Sequence, residues 1–179
     1  MCCRAWRTST SISSPGVVTH TGTMQGLHVA PGADAFVAAG KAAGINIEQA
    51  VDIELTRWQK FVFLVGMSGT TTLSRQPLGV IRADPDLRAT LQAAMTETWT
   101  LGRKRGIRLA DDFIAERMKF ADSLHANMKT SMQHDLEAGK PLEAPWLCGA
   151  VVRMSEESGL EAPVNRTIYA ALKPFLRGR

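Results

Sequence analysis

Three cysteines in 179 residues, two of them adjacent at positions 2 and 3, give no even set from which a disulfide framework could be built. That usage fits a reducing, cytoplasmic compartment. No apolar run reaches the ~18–20 residues of a membrane span; the longest covers residues 61–67. Arg4 and Arg7 stand near the amino terminus with no apolar stretch behind them, so a secretory signal is not expected there. No G-x-G-x-x-G follows a strand-like segment, so this sequence offers no helix N-terminus to cradle a dinucleotide phosphate. Serine is never flanked by the glycines of a nucleophile elbow. His125 and His134 lie nine residues apart with no second liganding pair, so no metal site is expected. An excess of one charge is also missing. Lys and Arg number 21 against 17 Asp and Glu, dispersed along helical segments, which reads as a solvated surface and not as a nucleic-acid footprint.

What is present fits a single globular domain with an arm. Hydrophobic residues make up 45% and charged residues 21%, enough to build a core without implying a membrane protein. Residues 1–33 are rich in Ser, Thr and Gly, with β-prone patches at 15–20 and 27–29 and no helical period. From Asp34 to residue 179 helix signals dominate. Asp34 is expected to cap a helix over residues 35–43 that Gly44 ends, followed by an extended link over 45–51. A second helix starts near Asp52, where Leu55, Trp58, Val62 and Val65 form one apolar stripe and Lys60 lies off it. Asp84-Pro85 opens a third, buried through Leu87, Leu91, Ala94, Met95, Thr98 and Leu101 and stopped at Gly106. Asp111 is expected to cap a fourth reaching about Met128. A fifth is expected from about Glu143 to Ser158, and a last one from Pro163 to Leu172. The fold class is therefore all-α, a multi-helix domain behind a short irregular or β-prone arm.

Five segments carry a pattern that no one of them carries alone: Arg57-Trp58-Gln59-Lys60-Phe61, Ser131-Met132-Gln133-His134-Asp135, Gly139-Lys140-Pro141-Leu142-Glu143, Gly149-Ala150-Val151-Val152 and Ala162-Pro163-Val164-Asn165. In this order they resemble the C-terminal domain of the ketopantoate reductase (2-dehydropantoate 2-reductase) family. That domain shows W-x-K near its start, S-M-x-x-D, a glutamate twelve residues after that serine, and a late P-x-N. The segment Gly16-Val17-Val18-Thr19-His20 resembles the final strands of the family's nucleotide domain, which makes residues 1–33 a remnant of that domain.

The resemblance implies a fold like the helical C-terminal domain of 6-phosphogluconate dehydrogenase, and an oxidoreductase of pantothenate biosynthesis in which NADPH reduces a small 2-oxo acid. Lys60 is then the catalytic residue that protonates the new alkoxide. A solvated ammonium with pKa ~10.4 is a weak acid at neutral pH, so such a lysine needs partial desolvation. Glu143 is implied as a second catalytic residue that also meets the cofactor, with Ser68, Ser131 and Asp135 binding or supporting the substrate. On the residues alone, Lys60 reads as an ordinary solvated lysine, Glu143 as a first-turn helix acid, Ser131 and Asp135 as caps, Trp58 as a core anchor and Cys148 as a small buried apolar residue.

Where the family carries asparagines four, eight and eighteen residues after the lysine, this chain has Leu64, Ser68 and Leu78, and Cys148 replaces another before Gly149. The substrate is therefore expected to be ketopantoate or a related 2-oxo acid. With no nucleotide domain read in the sequence, the chain alone is expected not to bind NADPH tightly and to be inactive, as a truncated gene product or with a nucleotide domain in trans. The alternative is a non-catalytic helical module that forms a homodimer or binds a small 2-oxo acid. Neither nucleic acid nor membrane is an expected partner.

Overall fold

The computed structural model describes residues 5–178, and the backbone divides into two units between Arg57 and Trp58. In the first, β1 (Ala5–Ser14) and β2 (Val17–Val29) form an antiparallel hairpin, pairing Ser14 with Val17 at the turn and Ala5 with Val29 at the far end. A register shift falls between Ser9 and Ser11. Residues 17–20 and 27–29 of the expected patches are thus parts of one strand, Pro15 and Gly16 forming the turn before it, and β1 is an addition that the Ser- and Thr-rich sequence did not announce. Helix α1 (Asp34–Ala42) then crosses over to β3 (Ile47–Gln49), which pairs parallel to β2 with Leu27 opposite Ile47. A parallel pair needs such a crossover, because a tight turn can only return the chain antiparallel. Val29, Val37 and Ile47 form the core of this unit.

Asp34 is not the cap of α1 but its first residue; Ala33 holds the cap position without a side-chain hydrogen bond. The Asp34 carboxylate is engaged instead by Gln49, whose Nε2 donates to Oδ1 at 2.7 Å while its Oε1 accepts from the Gly32 amide at 2.9 Å.

Helix α2 (Ile53–Ser74) starts as expected, Asp52 Oδ1 accepting from the Leu55 amide at 3.0 Å. After α3 (Leu78–Ala83), α4 (Pro85–Lys104) is capped by Asp84, whose Oδ1 takes the amides of Asp86 and Leu87 at 3.0 and 2.9 Å. Helix α3 went unread because six residues carry little period; Leu78 and Ile81 are fully buried, and the Leu78 and Gly79 amides donate to Met128 and Ala126 carbonyls. Helix α5 (Phe113–Ser123) departs from expectation at both ends. Asp111 pairs with Arg103 instead of capping it. The helix stops well short of Met128 because Arg82 Nη1 takes the carbonyls of Ala121, Asp122 and Leu124 at 3.0, 2.5 and 2.9 Å, closing the chain end that further turns would have used. Arg88 grips the Asp122 carboxylate with both terminal nitrogens, a hydrogen-bonded pairing that lowers the Asp122 pKa and raises that of Arg88.

Helix α6 (Ser131–Glu137) is a second short element the period did not reveal. The single helix expected over 143–158 is broken: a 3-10 turn spans Ala144–Trp146, Leu147 leaves the helical region at φ −104°, ψ −104°, and α7 (Cys148–Glu157) restarts behind it. Ala144 and Leu147, on either side of the break, are both buried. Helix α8 (Pro163–Leu172) runs as expected and passes into a 3-10 turn over Lys173–Phe175.

The core of the helical unit joins α2, α4, α6, α7 and α8 through residues such as Val65, Leu101, Met132, Val151 and Ile168. Trp58 packs on it edge-to-face with Phe61, the rings 5.5 Å apart, as a core anchor should. Cys148 is fully buried there. No helix among the described residues is long and apolar enough to cross a membrane.

Three stability predictions follow from contacts in this unit. Glu97 accepts from the amides of Val164 and Asn165 at 2.8 and 2.9 Å and from Asn165 Nδ2 at 2.7 Å, so an acid on α4 caps α8. Glu97→Ala should lower stability by about 1–3 kcal/mol in urea unfolding, with Glu97→Gln intermediate. At Gly66, a Cβ would lie 2.4 Å from Met95 Cγ; Gly66→Ala should cost about 1–3 kcal/mol by overpacking, and an unchanged midpoint would contradict that close approach. Burial pushes the Cys148 thiol from 9.0 up to about 11. Its contribution to stability is therefore whole below pH 9 and lost as the pH rises through about 11. At pH 8 peptide mapping should find Cys148 alkylated far more slowly in the native chain than in urea.

Candidate active site

Lys60, Leu64 and Ser68 stand at successive four-residue steps along α2 and so share one side of it. Lys60 is half-buried, Leu64 partly buried against the core, and Ser68 is 1% exposed. Thr72, one turn further, buries a hydroxyl with no hydrogen-bond partner among the described residues. The stripe therefore changes from an amine to small hydroxyls as the helix enters the core.

Helix α6 is joined to this part of α2 by two threonines. Thr71 Oγ1 lies 2.8 Å from Thr130 Oγ1, and Thr130 is the residue that caps α6 by accepting from the Gln133 amide. Ser131, next to it, is exposed at the start of the helix, and Asp135 one turn later is half-buried. Neither Ser131 nor Asp135 is a cap. The cap is Thr130, which leaves the Ser131 hydroxyl at the surface within one residue of the α2–α6 contact.

Glu143 is exposed and precedes the 3-10 turn, its carbonyl accepting from the Trp146 amide at 2.9 Å; its carboxylate makes no capping bond. Its neighbours Leu142 and Ala144 belong to the same core cluster on which Trp58, Phe61 and Leu64 pack, so the segments bearing Lys60 and Glu143 are set on one core. Trp146, which no motif singles out, lies 72% exposed three residues beyond Glu143; its place off the apolar period of Ala144, Leu147, Cys148 and Val151 is the sequence signal of that exposure.

Other groups are placed elsewhere. Leu78, at an expected asparagine position, is 0% exposed and belongs to the packing of α3. The His125 ring accepts from the Asn127 amide, and among the described residues no three of His, Cys, Asp and Glu gather into a metal-binding group. An open concavity on the α4–α5 loop, with Arg103, Ile107, Arg108 and Asp111 in its lining, holds none of the candidate residues.

Residues 52–175 match the family model "Ketopantoate reductase PanE/ApbA C terminal". An uncharacterised oxidoreductase of Bacillus subtilis, YkpB, is 33% identical over 135 residues, covering 74% of this chain and 45% of the relative. The 2-dehydropantoate 2-reductase of Archaeoglobus fulgidus is 30% identical over 151 residues, covering 84% of this chain and 50% of the relative. The chain thus spans about half the length of the curated relatives it matches. Among solved structures, the dimeric ketopantoate reductase of Staphylococcus aureus superposes with a TM-score of 0.90 at 23% identity, over 97% of this chain and 61% of that one, which establishes the fold. With its helical unit built on that plan and the family model covering most of its length, the chain belongs to the ketopantoate reductase family, as its C-terminal domain.

Proposed function

We propose that the chain is the substrate-binding part of a cytoplasmic 2-dehydropantoate 2-reductase-like enzyme that reduces ketopantoate or a related 2-oxo acid. The observation that carries this reading is the placement of the motif residues. Lys60 and Ser68 share a face of α2, α6 meets that helix through Thr71 and Thr130, and Ser131 and Glu143 present side chains not used in capping.

NADPH, when bound, supplies the hydride. Glu143 fits that cofactor as an acceptor: an exposed carboxylate only accepts hydrogen bonds and suits a molecule rich in hydroxyls. Lys60 Nζ donates toward the ketone oxygen, favouring the charge that develops there, and then gives up one proton to that oxygen, so that ketone, hydride and proton sum to the alcohol. Ser131 hydrogen-bonds the carboxylate or hydroxyl of the acid, whereas Ser68, at 1% exposed, lies inside the core and does not face it; Asp135 supports the turn that follows α6, its carbonyl accepting from the Lys140 amide at 2.8 Å. The remaining partner is a nucleotide-binding domain, on the same chain or in trans, and a homodimer is the assembly we propose.

Leu64 bears on the choice of acid. It cannot bond a substrate hydroxyl, and leaving one unpaired costs about 1–3 kcal/mol, or roughly one to two decades in specificity. A 2-oxo acid with an apolar tail is favoured over a hydroxylated one.

Joined to the N-terminal half of a curated relative, the chain should reduce 2-oxo acids with NADPH. Lys60→Ala should then lower kcat by about 10²–10⁴ with unchanged circular dichroism; an unchanged rate would favour the non-catalytic module. In the same protein Leu64→Asn should raise kcat/KM for ketopantoate relative to its deoxy analogue by about tenfold, read from initial rates.

A further inference from the structure

Trp146 is the aromatic side chain left most open among the described residues, at 72% exposed, and it makes no ring or cation contact within them. Isolated exposed apolar residues are ordinary. Trp146 differs in how firmly its backbone is held. Ala144 and Leu147 are buried on either side of it, Pro145 fixes the turn between them, and Arg153 Nη2 reaches back from α7 to the Pro145 carbonyl at 3.1 Å. In a 3-10 turn, residues three apart eclipse. The bond from the Trp146 amide to the Glu143 carbonyl therefore sets the indole and the Glu143 carboxylate on the same side of the turn.

That pairing selects its occupant. A carboxylate accepts hydrogen bonds and repels anions, so the ring that covers Trp146 does not belong to the acid end of a 2-oxo acid. It belongs to a molecule that brings donors beside a planar ring, and an indole face holds such a ring best when the ring is cationic. Resting on the reductase reading of Glu143, we infer that Trp146 stacks on the nicotinamide ring, with Glu143 accepting from the riboside hydroxyls or the carboxamide. Stacking then favours the oxidised, positively charged ring over the reduced, neutral one.

The test uses the whole chain and nicotinamide riboside, which carries the cationic ring without phosphates. Titration should quench indole fluorescence and raise a charge-transfer shoulder at wavelengths where neither partner absorbs. Trp146→Leu should abolish both signals and Trp146→Phe should keep measurable binding, with circular dichroism unchanged. Glu143→Gln should weaken binding about tenfold and leave the shoulder. The inference is overturned if Trp146→Leu binds as the parent does, if the riboside does not bind, or if phenylpyruvate and not the riboside gives the Trp146-dependent quench. Binding of 2-oxo acid that depends on Lys60 and Ser131, without riboside stacking, would sink the role of the indole alone. Riboside stacking together with a Lys60→Ala enzyme of unchanged rate would sink the reductase reading alone.

Discussion

Every residue of α2 from Val65 to Thr72 is buried, and the rest of the helical unit is arranged around that constraint. A helix enclosed on all sides can use only side chains that let its neighbours come close. Hence Gly66 beneath Met95 of α4, Gly69 beneath Ile168 of α8, and Ser68 and three consecutive threonines where a surface helix would carry long polar residues. Of these buried hydroxyls, that of Thr71 returns its proton to the Met67 carbonyl, while those of Thr70 and Thr72 have no partner among the described residues. The consequence for the proposed site is that Lys60 stands on a helix whose following turns are enclosed by the core.

The parts of the fold legible in the sequence were those with strong local chemistry. Asp52 and Asp84 cap their helices, and Pro163 opens its own, because each signal is a residue whose side chain or ring suits only that position. What stayed hidden was decided by distant partners. Asp34 and Asp111 looked like caps, yet Gln49 and Arg103 engaged their carboxylates. Arg82 ended α5 from 39 to 42 residues away in sequence. The break at Leu147 was invisible because Ala144, Leu147, Cys148 and Val151 keep a helical apolar period straight through it.

Of the candidate site, identities came from ordered motifs and placement came from the structure. The late P-x-N segment shows the two coming apart. Asn165 is 0% exposed and spends its amide on Glu97 and the Ala94 carbonyl, so this signature of the family serves the joint between α4 and α8. The serine of the S-M-x-x-D segment is the reverse case. Its neighbour Thr130 does the capping, which is why Ser131 stays free to face outward.

The contact between Thr71 and Thr130 has a direction. Thr71 has one proton, and the Met67 carbonyl takes it at 2.8 Å, so the proton between the two hydroxyls must come from Thr130. Thr130 in turn accepts from the Gln133 amide. The result is a relay running amide, hydroxyl, hydroxyl, carbonyl from one helix into another, in which each dipole polarises the next. Its members stand or fall together, so α6 takes its bearing from the interior of α2 through a polar thread.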